Sequence, residues 1–195
     1  MLYRFLTIII GLICKILFRL EVTGHDNIPK SGGAIIASNH ISLLDPPVLG
    51  VSMARHIHFM AKEELFRYPV FSWVITQLKA FPVRRGMADR VAIRTAISLL
   101  ESGEIVGLFP EGTRSKTGVL GKPEQGLAMI AIKTGAPIIP AALIGTADLG
   151  NKLLPKFKVK FGKPIVIDKG KGNRETMDQI SESMMREIAL LIEEG

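Results

Sequence analysis

One cysteine, one tryptophan and two tyrosines are all that this chain of 195 residues holds of those types, and each shortage excludes something. With Cys14 alone, no internal disulfide forms and no cluster of cysteines holds a metal, the usage of a chain facing a reducing compartment. Cys14 stands in an apolar run, where a small packed hydrophobe is the ordinary role. Aromatic residues make up only 6%, and no basic run alternates with stacking rings, so the surface of a single-strand nucleic-acid binder is lacking and no nucleic-acid partner is expected. No G-x-S-x-G elbow occurs, which argues against a serine hydrolase. No Ser-rich or Pro-rich linker, internal repeat or low-complexity tract divides the chain.

Acidic residues are outnumbered, 18 Asp and Glu against 25 Lys and Arg, giving a formal net charge of +7 that favours an anionic lipid surface or a phosphorylated substrate. At 47% hydrophobic residues the length suits one domain with a sizeable core. The mean hydropathy of +0.29 leaves an apolar excess for its surface.

The N-terminal segment MLYRFLTIIIGLICKILFRL offers an apolar stretch from Phe5 to Cys14, ten residues, against about 20 for a helix that crosses the hydrocarbon core. Arg4, Lys15 and Arg19 flank or interrupt it, and no A-x-A cleavage site follows. Residues 1–20 are therefore expected to be retained as an amphipathic, membrane-associating helix. It would lie in the interface, with basic stems reaching the headgroups of an anionic membrane surface. Residues 21–195 then form the main folded domain.

Beyond Val22, short apolar runs alternate with amphipathic ones, the pattern of a single α/β domain with a mixed central sheet flanked by helices. Strands are expected at Leu20–Thr23, Ala34–Ser38, His58–Ala61, Ala80–Val83, Ile105–Phe109, Ile138–Leu143 and Lys156–Phe161. Helices are expected over Met87–Glu101, over Pro123–Thr134 with Gly135 as its stop, and over Arg174–Glu194.

In AIIASNHISLLDPP a buried strand leaves the sheet into a polar loop, where functional residues concentrate. His40 and Asp45 stand five apart, about 140° around a regular helix, so they meet only if the loop or a helix start folds back. Asp45 precedes Pro46, which favours a turn or extended backbone there. A carboxylate beside an imidazole fixes its tautomer and makes a general base; the alternative is a polar turn in which Asn39 and Asp45 cap backbone groups. Two further strand ends carry charge: FPVRRG at Phe81–Gly86, and FPEGTRS at Phe109–Ser115. In the latter, Gly112 allows close backbone approach and Arg114 offers a planar fork for phosphate. His56 and His58 share one face of a strand, but no third ligand stands near, so no metal is expected.

N-H-x-x-x-x-D at Asn39–Asp45, F-P-V-R-R-G, F-P-E-G-T-R-S and P-I-I-P at Pro137–Pro140 resemble, in order and spacing, the four motifs of the glycerolipid acyltransferases. Within that family the chain looks like the bacterial members that acylate lysophosphatidic acid. The resemblance covers Val22 to Gly145. It implies that His40 is the base, held by Asp45, and takes the proton from the sn-2 hydroxyl of lysophosphatidic acid as that oxygen attacks an acyl thioester. The donor would be acyl carrier protein or acyl-CoA, with no cofactor and no metal. Arg85, Arg114 and Lys62 would hold the acceptor phosphate, while Glu111, Gly112 and Thr113 shape its site. Arg84 stands where many members carry Asp, and members often carry a two-helix N-terminal motif where this chain has room for one helix. Rival readings are a different acceptor, glycerol 3-phosphate or a lyso-ornithine lipid, and a non-catalytic module that binds anionic lipid.

Overall fold

The computed structural model describes residues 2–84, 89–115, 117–149, 152–170 and 172–195. In chain order they form α1 (Leu2–Leu17), β1 (Glu21–Thr23), β2 (Ala34–Ser38), α2 (Asp45–Val51), β3 (Ile57–Lys62), α3 (Pro69–Gln77) and β4 (Phe81–Val83). There follow α4 (Arg90–Glu101), β5 (Ile105–Leu108), α5 (Gly126–Thr134), β6 (Ile138–Ile144), β7 (Lys158–Phe161) and α6 (Arg174–Glu193). The strands make one seven-stranded sheet in the order β1-β7-β6-β2-β5-β3-β4. Strands β2 to β6 run parallel, whereas β7 is antiparallel to β6 and carries β1 with it, so the sheet is mixed.

The central strands read as unbroken apolar runs because both of their faces are covered. Every residue of β2 and β5 is buried. Alternate side chains of β2 enter two separate cores: Ile35 and Ala37 pack with α4, α5 and α6, and Ala34 and Ile36 pack on the side of α1 and α2. The inner face of α1 belongs to this second core through Ile10 and Cys14, and Phe18 just beyond it stacks on Phe157 at 4.3 Å. Burial pushes the Cys14 thiol up, as befits a packed hydrophobe. Among the described residues no helix is long and apolar enough to cross a membrane.

All seven expected strands are present. The helix expected from Met87 begins at Arg90, where Asp89 caps it by accepting from the N–H groups of Val91 and Ala92; Met87 and Ala88 lie outside the described residues. The helix expected from Pro123 begins at Gly126, since the Glu124 N–H is drawn to the Pro110 carbonyl. Two helices, α2 and α3, carry no expectation. Both are short and carry proline in the first turn, and neither offers enough turns for a 3.6-residue period to show. The turn or extended residue expected before Pro46 is instead the first residue of α2. Pro46 and Pro47 lack N–H groups that a first turn does not need, and Asp45 supplies the negative charge favoured there.

Gly107, at the centre of β5, leaves room for the Phe59 ring: a Cβ at this position would overlap that ring and the Ile57 side chain. Gly107→Ala is expected to lower unfolding stability by about 1–3 kcal/mol through overpacking, read as a reduced denaturant midpoint at unchanged m-value.

Candidate active site

Because β2 lies between β5 and β6 and all three run parallel, the loops that leave their C-terminal ends gather at one edge of the sheet. Asn39, the first residue past β2, pairs its side-chain amide with the backbone of Leu143 on β6. Its Nδ2 donates to the Leu143 carbonyl at 2.9 Å, and its Oδ1 accepts from the Leu143 N–H at 2.8 Å. This fixes the direction in which the chain leaves the sheet and enters the loop that carries His40.

The loop then folds back on itself. The Asp45 carboxylate is fully buried and accepts four hydrogen bonds: His40 Nδ1 at 2.8 Å, the N–H groups of Ile41 and Ser42 at 2.7 Å each, and the Thr146 hydroxyl at 2.6 Å. A group that takes in so many donors is an acceptor toward the imidazole, so Nδ1 carries a hydrogen and, in the neutral ring, Nε2 is the nitrogen with the lone pair. The two readings of SNHISLLDPP are thus one structure. Asp45 caps the turn and orients the ring in the same act. Thr146 reaches it from the end of β6.

The loop after β5 locks His40 from the other side. Phe109 stacks on the imidazole with centroids 4.0 Å apart and planes 16° from parallel. Gly112, at φ 67°, donates to the Phe109 carbonyl and closes a tight turn. Glu111 Oε1 then accepts the His40 N–H at 3.2 Å, while Ser115 donates its N–H to the His40 carbonyl at 2.8 Å. Both backbone groups of His40 are therefore held by FPEGTRS.

His40 lines an apolar cavity of about 310 Å³. Its walls come from α1 (Tyr3, Thr7, Ile10), α2 (Pro46, Gly50), β3 and α3, and two cationic side chains, Lys62 and Arg114, line it as well. Lys62 also meets Glu64 at 3.2 Å. The loop after β5 separates this cavity from a second one of about 790 Å³, lined by Gly112, Thr113, Arg84, Asp89 and Gln125. The structure thus brings His40, Asp45, Lys62 and Arg114 together and turns Gly112 and Thr113 to the other side. Glu111 is a brace, with Oε1 on His40 and Oε2 accepting from Gly121 N–H at 2.9 Å. Arg84 is bonded to Glu63 at 3.1 Å. Arg85 lies outside the described residues.

The remaining histidines have other surroundings. His56 packs against the Tyr3 ring at 4.2 Å, and His58 sits 3.7 Å from Glu104, where burial holds its imidazole below the usual range. One residue of the site carried no sequence signal of its own: Thr146 is 101 residues beyond the Asp45 that it bonds. Phe109 was marked only as the strand end that opens FPEGTRS, and its stacking on His40 was not legible.

The chain matches the Acyltransferase family over residues 19–144. It is 36% identical over 166 residues to the 1-acyl-sn-glycerol-3-phosphate acyltransferase of Bacillus subtilis, covering 84% of this chain and 82% of that one. To a chloroplastic 1-acyl-sn-glycerol-3-phosphate acyltransferase of Arabidopsis thaliana it is 34% identical, over 68% of this chain and 38% of the longer plant protein. Among solved structures it resembles the 1-acyl-sn-glycerophosphate acyltransferase of Thermotoga maritima, with a TM-score of 0.75 and 32% identity, over 97% of this chain and 80% of the other.

Thr146→Val keeps the shape and removes one donor from the buried carboxylate. It is expected to cost about 1–3 kcal/mol in stability and to lower kcat more than the acceptor KM, as measured by denaturant unfolding and steady-state kinetics on the same preparation. Glu111→Ala, which frees the His40 and Gly121 N–H groups, is expected to act in the same way.

Proposed function

Because the chain belongs to the acyltransferase family, we propose that it transfers a fatty acyl group from an acyl thioester to the sn-2 hydroxyl of 1-acyl-sn-glycerol 3-phosphate, giving phosphatidic acid for phospholipid synthesis. The observation that carries this reading is the His40–Asp45 pair on the wall of an apolar cavity that Lys62 and Arg114 also line. The cavity suits an aliphatic chain, the two cations suit a phosphate, and a base stands beside both. The names of the Bacillus and Arabidopsis relatives support the same acceptor.

In the step itself, His40 Nε2 takes the proton of the sn-2 hydroxyl as its oxygen attacks the thioester carbonyl carbon. The C–O bond forms, the C–S bond breaks, and the proton passes from the imidazolium to the departing thiolate. The acceptor is the nucleophile, so the protein's contribution is alignment and proton transfer, and no covalent acyl-enzyme is needed. Asp45 holds the ring in the tautomer that leaves Nε2 free for this work, and Phe109 fixes its plane. Arg114 and Lys62 hold the acceptor phosphate, a role that the motif resemblance extends to Arg85. Glu111, Gly112 and Thr113 shape the acceptor site through the loop that bears Arg114. Acyl carrier protein and acyl-CoA are the candidate donors.

The reaction takes place at the cytoplasmic side of the cell membrane, with residues 1–20 in the bilayer interface and 21–195 carrying the chemistry. The outer face of α1, with Phe5, Ile8, Leu12 and Ile16, is exposed, and Lys15 follows in its last turn. Such a face suits the acyl boundary of an anionic membrane.

The test is thiol release from acyl carrier protein and coenzyme A thioesters of several chain lengths. Lysophosphatidic acid would be offered beside glycerol 3-phosphate and a lyso-ornithine lipid. Release that requires lysophosphatidic acid is expected, and preference for another acceptor would reassign the substrate. His40→Ala is expected to abolish release while lysophosphatidic acid still binds. Arg114→Ala is expected to raise the apparent KM for the phosphorylated acceptor by roughly tenfold or more, from the loss of about 1.5–3 kcal/mol of charge-assisted bonding. An unchanged KM would move phosphate recognition to Lys62 and Arg85.

A further inference from the structure

Helix α3 has an unusual surface for a soluble domain. From Tyr68 to Leu78 the chain carries no charge, and none of the nine residues of α3 is buried. One stripe, Phe71, Val74, Ile75 and Leu78, faces the cavity that holds His40. Another is bare: Val70 is 80% exposed and Trp73 53%, with Tyr68 beside the helix start at 65%. Large apolar side chains left bare on a helix mark a face that something covers, and nothing among the described residues covers this stripe.

We propose that α3 is a second bilayer-docking element, set in the interface of an anionic membrane alongside α1. Tyr and Trp are the side chains favoured at the boundary of headgroups and acyl chains. Arg67 and Lys79 bracket the uncharged stretch at its two ends, both exposed, where basic stems reach anionic headgroups. The cavity places the same demand on this surface. Its walls include Tyr3, Thr7 and Ile10 of α1 and Phe71, Val74 and Ile75 of α3, so the two helices that flank it both turn apolar outer faces to the surroundings. With both faces in the bilayer, an acyl chain passes between α1 and α3 to His40 without crossing water. This rests on the reading that the chain works at a membrane through α1, and it adds the second contact and the route.

Trp73 is the single tryptophan of the chain, so the full-length protein reports on α3 without a label. The experiment mixes it with vesicles of phosphatidylglycerol and phosphatidylcholine, with and without bromine on the acyl chains, and follows sedimentation and tryptophan emission together. Co-sedimentation with a blue shift and strong quenching by brominated chains is the expected result. Co-sedimentation without quenching would overturn the proposal and leave docking to α1 alone. A failure to sediment would overturn both. An emission shift that tracks protein concentration without lipid would show a second copy covering α3, and would also overturn it. Val70→Asp, away from the cavity, is expected to weaken vesicle partitioning roughly tenfold while thiol release from a soluble donor is retained. Unchanged partitioning of that variant would count against α3.

Discussion

A single buried carboxylate organises the site. Asp45 has no exposed surface, and the bonds it accepts tie the loop after β2, through the imidazole and two backbone N–H groups, to a hydroxyl from the end of β6. Leaving such a group short of partners costs far more than any one of its bonds is worth, so the loop, the start of α2 and the end of β6 are bound to one arrangement. The catalytic tautomer of His40 follows from that arrangement. The prolines after Asp45 serve the same end, since they start α2 without N–H groups that would compete for the carboxylate.

Much of this was legible in the sequence, for reasons that can be named. The strands are buried on both faces and therefore read as plain apolar runs, and the residues that leave them, Asn39, His40, Lys62 and Arg114, are polar or charged at abrupt boundaries. Pairing between residues five apart was visible only as a condition, that the chain fold back, because the fold-back depends on N–H groups of Ile41 and Ser42 that any sequence possesses. The role of Asn39 was half legible. Its place beside His40 marked it, but its partner, the backbone of Leu143, has no side-chain signature. Thr146 was invisible for the same reason that it matters, being distant in the chain and near only through strand order. Glu111 was legible as a member of its motif, but its bonds to the backbone N–H groups of His40 and Gly121 were not, since neither partner has a side-chain signature.

The cavity links this chemistry to where the protein works. Its walls are drawn from α1 and α2, which pack in the second core, and from α3, and His40 and the two cations line it as well. An aliphatic substrate and a phosphate ask for opposite surroundings, and the site offers them side by side. The apolar outer faces of α1 and α3 extend the dry side of the cavity to the surface. In the proposed reading, the fold both positions a base and turns its cavity toward the bilayer interface.

The central claim is that Asp45 acts on catalysis by holding His40, and Asp45→Asn tests it most directly. The amide keeps the size of the carboxylate but no longer demands the hydrogen of Nδ1. With thermal unfolding followed in parallel, kcat for thiol release with lysophosphatidic acid as acceptor is expected to fall about 10²- to 10⁴-fold while the acceptor KM changes little. A folded Asp45→Asn protein with kcat within about threefold of the native chain would contradict the account.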